Sequence, residues 1–292
     1  MAALGLTPEQ KKFYDDNGYI LVKGVFSRAE AAELRQATHE LAARLRQREP
    51  NGDATWATVR QTDPAKKTVI HHCHDVQFQD ARFGRMMLDP RVTSIAQAII
   101  GPNVQLHHTK MFIKPPEKGS PFPMHQDYPY FPHDNHSMIA AIIHLDDAPV
   151  EKGCVRVYPG THKLGALKTD RPDNSLSPEQ YSIEQATPCP AEAGDVLFFS
   201  YLTIHGSGVN VSSEARTTVL IQMRDPEDRP TIRAHESLGQ GMMLAGMNPT
   251  TLPSTPWEES NPAGKSMGAM GGAMGGAMGG SAAKAELALT GK

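Results

Sequence analysis

Two imidazoles and one carboxylate can hold a ferrous ion on one face and leave its other positions for water, cosubstrate and dioxygen. The chain offers such a set in His125 and Asp127, two residues apart in Met124-His125-Gln126-Asp127, and His205 far downstream. On a regular strand, residues two apart project to the same side, so the spacing predicts that His125 and Asp127 share a face. His205 closes the branched and apolar run Val196 to Ile204, a strand that can approach from across a barrel. His-x-Asp alone recurs by chance, and a turn histidine beside Pro121, Pro123 and Pro129 is the plain alternative for His125. The residues after His205 add weight: Gly206-Ser207-Gly208 leads through Asn210 to Arg216 at the head of the next strand. A guanidinium fork suits a carboxylate, so a dicarboxylate cosubstrate can chelate the metal by one end and pair with Arg216 by the other.

The elements that must position these residues follow from capping and periodicity. Thr7-Pro8-Glu9-Gln10 is a capping-box pattern opening a helix through Asp16 that Asn17-Gly18 ends. Tyr19 to Val22 then reads as a buried strand, and Ser27-Arg28-Ala29-Glu30 opens a longer helix toward Arg48. Residues 49 to 70 are polar and irregular, as in a surface excursion or lid, and precede His71-His72-Cys73-His74. Phe83 to Ile100, with Asp89-Pro90 as a start signal and Gly101 as a stop, reads as a helix. Beyond it the period changes: Leu106–Ile113, Met138–Leu145, Val155–Tyr158, Val196–Tyr201 and Thr217–Met223 are short apolar runs divided by turn-forming pairs. Helices first and strands afterwards imply a mainly β protein with flanking helices, and a double-stranded β-helix, or jelly roll, fits the count. The expected oxygenase domain spans 1–235, with the helical flank over about 1–100 and the β core over about 104–225. Residues 236–292, with Met-Gly-Gly-Ala near-repeats, read as a low-complexity flexible tail; soft thioethers binding copper are the alternative.

Lysine plus arginine total 29 against 32 acidic residues, a net charge of −3, which gives no sign of a polyanionic partner such as nucleic acid. Cys73, Cys154 and Cys189 are odd in number and widely spaced, which argues against a disulfide framework and for a reducing compartment. The N-terminus lacks a basic segment before an apolar one, and no run reaches the ~18 apolar residues of a membrane span, so a cytoplasmic chain without a membrane partner is expected. A monomer or homodimer acting on a small molecule fits this picture.

Many motifs in fixed order resemble the phytanoyl-CoA hydroxylase family of Fe(II)- and 2-oxoglutarate-dependent oxygenases. They are Gly101-Pro102-Asn103, His108-Thr109, Lys114-Pro115-Pro116, His125-Gln126-Asp127 with Tyr130-Phe131-Pro132, Gly153-Cys154, Pro159 to Lys163, Gly194-Asp195, and His205-Gly206-Ser207-Gly208 with Asn210 and Arg216. The resemblance runs from about Leu6 to about Asp225. It implies iron held by His125, Asp127 and His205, and the far carboxylate of 2-oxoglutarate held by Arg216 and Ser207, with Thr161 of the Pro159 motif also on the cosubstrate side. It implies a further cosubstrate contact before the Asp89-Pro90 helix, often a lysine, for which His72 is the counterpart here and His71 or Lys67 are rivals. Lys152 departs from the asparagine usual before Gly-Cys. The implied reaction consumes O2, converts 2-oxoglutarate to succinate and CO2, and hydroxylates an aliphatic C–H of a small substrate such as an acyl-CoA or another small acid. Another C–H oxidation in natural-product or phosphonate tailoring, or binding without turnover, are the alternatives. Retention of Asp127 disfavours halogenation, which needs a vacant position in place of the carboxylate.

Tyr130 and Gln126, beside the metal motif, are candidates to meet substrate, although ordinary loop packing is nearly as good a reading of that aromatic loop. Lys110, two residues from His108 on a strand, can enter the cavity as counter-charge to an anionic substrate; a solvent-facing lysine is the alternative. The other histidines read as half-buried hydrogen-bonding groups rather than a second metal site. No Gly-x-Ser-x-Gly elbow and no phosphate loop is present.

Overall fold

The computed structural model describes residues 4–46, 57–58, 71–116, 121–232 and 237–250. Two antiparallel sheets face one another. The larger contains β1 (Tyr19–Val22), β2 (Ala57–Thr58), β3 (His71–His74), β4 (Val104–Lys114), β6 (Ile139–His144), β9 (Val196–Ser200) and β11 (Arg216–Arg224), in the order β1-β9-β6-β11-β4-β3-β2, with β12 (Met243–Ala245) also pairing with β4. The smaller contains β5 (Phe122–His125), β7 (Val155–Val157), β8 (Thr187–Cys189) and β10 (His205–Ser207), in the order β5-β10-β7-β8. This is the jelly roll the sequence predicts.

Alternation on the large sheet makes two environments from the same strands. Met111, Ile113, Phe198, Val219, Ile221 and Met223 point outward into a core shared with the helices α2 (Arg28–Arg46), α3 (Ala81–Met87) and α4 (Pro90–Ile100). The intervening residues Phe112, Leu197, Phe199 and Leu220 point inward toward the small sheet. Burial of each large apolar side chain contributes about 1.5–3 kcal/mol, so the helices brace the wall on which the site is built.

Local signals explain the helix ends. In α1 (Pro8–Asn17) the Thr7 and Gln10 side chains satisfy each other's backbone N–H groups, and Gly18 closes the helix at φ 76°. Ser27 and Glu30 make the same reciprocal pair ahead of α2. The single helix expected over Phe83–Ile100 is two, because Pro90 has no N–H to continue α3 and the Asp89 carboxylate instead accepts from the Arg91 N–H to start α4. The first compact unit runs Met1–Thr250. The expected division at 235 therefore falls inside it: β12 returns to β4, with Met243 opposite Gln105. The expected lid over 49–70, apart from β2, and the tail beyond 250 lie outside the described residues.

Candidate metal centre

His125 ends β5 and His205 opens β10, and the two strands pair with these histidines directly opposite, their ring centroids 4.3 Å apart. That approach needs a glycine next to His205, since a Cβ on Gly206 would sit 2.6 Å from the Met124 sulfur and 2.7 Å from the Phe122 carbonyl oxygen. The imidazole Nδ1 of His125 donates to the Pro123 carbonyl at 2.8 Å, and that of His205 to the Thr203 carbonyl at 3.0 Å. A carbonyl can only accept, so each Nδ1 carries the proton and each Nε2 keeps its lone pair for a metal.

Asp127 does not lie on the strand with His125. β5 stops at His125, and Asp127 has helical dihedrals, φ −74° and ψ −23°. Gln126 makes the turn: its side-chain amide donates to the Leu202 carbonyl at 2.6 Å and the Gly165 carbonyl at 3.0 Å and accepts from the Leu167 N–H at 2.8 Å. One Asp127 oxygen thereby comes 3.6 Å from His125 Nε2 and 3.7 Å from His205 Nε2, while the other accepts from Gln222 Nε2 at 3.3 Å. The ligand atoms of all three side chains lie within 4.8 Å of one another, the one such group among the described residues. A largely enclosed N2O donor set, His205 buried and His125 and Asp127 partly so, with both histidine tautomers fixed and the carboxylate oriented from behind, fits a ferrous ion.

Electrostatics keep the carboxylate charged between the two imidazoles. Burial pushes His205 down to about 4, aided by the neighbouring His125. Burial acts the same way on His125, but the hydrogen bond and charge of Asp127 outweigh it and leave His125 above its ordinary value. Burial would raise Asp127, yet the two histidines and Gln222 hold it below the usual carboxylate range.

The three residues open on a cavity of ≈ 320 Å³ between the sheets. Its floor follows the β11–β4 ladder, in which Arg216 is opposite Lys114, Thr218 opposite Phe112, Leu220 opposite Lys110 and Gln222 opposite His108. Arg216 and Gln222 mark its two ends, about 20 Å apart along the strand. At the Arg216 end the guanidinium is 3% exposed, donates from one terminal nitrogen to the Gly153 carbonyl at 2.7 Å, and leaves its buried Nε–H without a partner. Gly153 stands at φ +68°, and a Cβ there would come 2.4 Å from the Gly208 carbonyl oxygen, so glycine at 153 is a packing requirement. A buried guanidinium N–H without a partner, on a residue that lines the cavity together with Ser207, fits the carboxylate of 2-oxoglutarate.

Ser207, Arg216, Tyr130 and Lys110 line the same cavity as the triad. Gln126, Thr161 and His72 do not. Gln126 serves the turn described above. Thr161 donates to the Tyr158 carbonyl at 2.7 Å and accepts from the Ile204 N–H at 3.0 Å, fixing the segment that feeds His205. His72 stands against Phe112, ring centroids 6.3 Å apart, and His74 lines the cavity in its place. Lys67 and the side chain of His71 lie outside the described residues. Sequence reasoning missed Gln222, although counting in twos from Arg216 along β11 reaches it. Lys152, the departure at the turn, forms an ion pair with Glu214.

The fold and this donor set together place the chain among the non-haem iron oxygenases that consume 2-oxoglutarate. Residues 14–218 match the family profile described as Phytanoyl-CoA dioxygenase (PhyH). The peroxisomal phytanoyl-CoA dioxygenase of Bos taurus is 30% identical over 236 residues, covering 75% of this chain and 69% of that protein. The chain belongs to the phytanoyl-CoA dioxygenase family. The epimerase SnoN from nogalamycin biosynthesis, solved with Fe3+, alpha ketoglutarate and nogalamycin RO, superposes with a TM-score of 0.62 at 25% identity, over 82% of this chain and 96% of its own. EctD from S. alaskensis, solved with 2-oxoglutarate and 5-hydroxyectoine, has the same fold, with a TM-score of 0.65 at 20% identity over 86% of this chain and 88% of its own. The chain is thus a 2-oxoglutarate-dependent dioxygenase that uses iron, 2-oxoglutarate and O2 on a small molecule.

Proposed function

We propose that this enzyme hydroxylates an aliphatic C–H bond of a small, partly apolar anion. Iron is held by His125, Asp127 and His205, and the far carboxylate of 2-oxoglutarate by Arg216 and Ser207. The observation that carries this reading is the placement of the ligand atoms and the orphaned Arg216 N–H on the wall of one cavity. When bound, iron would activate O2, which takes two electrons from 2-oxoglutarate as it is split to succinate and CO2 and two from the substrate C–H bond. The protein's residues orient and exclude. Gln222 fixes the carboxylate of Asp127, while Phe112, Phe122, Phe199 and Leu220 keep water from the reacting carbon. At the other end, Lys110, its ammonium 4.8 Å from the Phe112 ring centroid, supplies a counter-charge, and Tyr130 borders the mouth. A space of ≈ 320 Å³ is at the small end for ligand sites, which favours a compact acid over a long acyl chain held entirely inside.

A second reading, another C–H oxidation in natural-product tailoring, is favoured by the likeness to the nogalamycin epimerase. Incubation with Fe(II), 2-oxoglutarate and a panel of small acids under air tests both. Substrate-dependent succinate with a product that gains one oxygen supports hydroxylation, whereas loss of two hydrogens supports desaturation. No succinate with any candidate would leave a binding protein without turnover.

The catalytic unit is read as residues 1–235, extended by β12. Three unpaired, buried cysteines suit a reducing compartment, and a cytoplasmic monomer or homodimer without nucleic-acid or membrane partners is the accompanying expectation. Among the described residues no helix is long and apolar enough to cross a membrane.

A further inference from the structure

Lys114 ends β4 directly opposite Arg216, is 0% exposed, and lies outside the functions assigned so far. Its ammonium donates to the Ser207 hydroxyl at 2.7 Å and to the Gly208 carbonyl at 2.5 Å, and it faces the Phe122 ring at 5.7 Å. It thus ties a strand of the large sheet to the strand of the small sheet that carries His205. Two features make this more than a structural tie. A lysine ammonium only donates, so Ser207 spends an acceptor position on Lys114 and its single O–H proton is turned elsewhere; Ser207 lines the cavity. Moreover, Lys114 and Arg216 are two buried basic groups whose titratable neighbours are each other, His144 and the Cys154 thiol, with no carboxylate of the described chain paired to either. Buried charge without a partner is destabilising, and a pair of like charges more so. Such a pair is tolerable in a protein whose working state brings an anion to it.

We propose that Lys114 is a positioning residue for the cosubstrate: it aims the Ser207 hydroxyl at the far carboxylate of 2-oxoglutarate and adds a second buried positive charge behind Arg216. This rests on the assignment of Arg216 and Ser207 to that carboxylate. Burial and Arg216 push the lysine down to about 6 without an anion beside it, so the donor-only ammonium form belongs to the state with the dicarboxylate bound, whose charge opposes that shift.

The test is anaerobic titration of the Fe(II)-loaded protein with 2-oxoglutarate and, separately, with pyruvate, by calorimetry and by the visible charge-transfer band of the chelate. Pyruvate has the same chelating head and no far carboxylate. Lys114→Met is expected to weaken 2-oxoglutarate about tenfold or more while changing pyruvate less than about twofold. Ser207→Ala in the Lys114→Met background is expected to add little, because the two act as one unit. Lys114→Gln, which keeps a donor and drops the charge, serves as the second variant should Lys114→Met fail to fold, with the same selective loss expected. Equal losses for both acids, or wild-type affinity for 2-oxoglutarate in the variants, overturns the proposal. If the wild type binds pyruvate and 2-oxoglutarate equally, the assignment of Arg216 falls first and the proposal with it, an outcome visible before any variant is made.

Discussion

The two ends of the cavity are built on opposite principles. At one end Arg216, Ser207 and Lys114 are 3%, 2% and 0% exposed, and each is tied to backbone or to a neighbour across the two sheets. At the other, Tyr130 on the loop after β5 is 38% exposed and Lys110 of β4 is half-buried. A closed, pre-paid end suits a ligand that never changes, and a loop-lined end suits one that differs between family members. The metal ligands sit between, His125 and His205 on the short strands β5 and β10 and Asp127 on the turn that follows β5.

The triad should show the largest effect, because it serves both ends. Asp127→Ala or His205→Ala is expected to abolish turnover and to lower bound iron measured by metal analysis. Retention of iron together with full succinate production would remove the triad from the mechanism. Next comes Arg216→Ala, which leaves a bound carboxylate facing a buried void. Truncating one partner of a buried charge pair costs about 2–5 kcal/mol, or roughly 30-fold or more in the 2-oxoglutarate KM. The substrate KM should move much less, and equal movement of both would erase the distinction between the ends.

The closed end also carries an acid sensitivity. His144, 0% exposed on β6 and in line with Thr218 of β11, is pushed down to about 4 by burial and then by Arg216. Its folded value lies below the unfolded one, so the unfolded chain takes up the proton more readily. The associated stability is complete above the ordinary histidine value of about 6.5 and is lost as pH falls toward 4, about 3 kcal/mol in all. Thermal melts of the metal-free protein across that window should fall, and His144→Gln should flatten the decline. His205, also depressed to about 4, adds to the same slope, so the variant should remove only part of it.

How far the sequence revealed each end follows from the physics of its construction. Iron ligands need particular side chains, and few residue types suffice, so His125, Asp127 and His205 stood out from type and spacing. The stated reason was partly wrong: the chain leaves the strand at His125, and a buried glutamine amide, not the pleat, turns Asp127 toward the histidines. Gln126 was expected at the substrate because it neighbours the ligands, yet neighbours on a tight turn are spent on backbone. The four long strands β4, β6, β9 and β11, with the short β1 and β7, were legible from their apolar runs, and both capping boxes from residue type and spacing. The strands β2, β3, β5, β8, β10 and β12 were not, since runs of two to four residues carry no period and exist through pairing alone. Which of His72 and His74 reaches the cavity is likewise a matter of sheet curvature, invisible in a sequence where they share a face.

Lys110→Met tests the open end. If Lys110 meets the substrate's charge, the substrate KM should rise about tenfold while 2-oxoglutarate affinity stays within about twofold. A selective loss of 2-oxoglutarate would instead extend the cosubstrate end past the metal.

The smallest effect belongs to the mouth. The Tyr130 hydroxyl donates to the Asp173 carbonyl at 2.6 Å, joining the loop after β5 to the turn at 173–174, where Asn174 holds φ 57°. The Tyr130 ring lies edge-on to His125, centroids 6.1 Å apart, so the same residue bridges the mouth and the metal ligand. Tyr130→Phe keeps the ring and removes only a half-exposed neutral hydrogen bond, worth about 1 kcal/mol. A fall of about fivefold or less in kcat/KM for the substrate, with iron and 2-oxoglutarate binding intact, is the outcome of a mouth that orders substrate. A loss of iron affinity would mean instead that Tyr130 braces His125, and the open end would then begin farther from the metal than Tyr130.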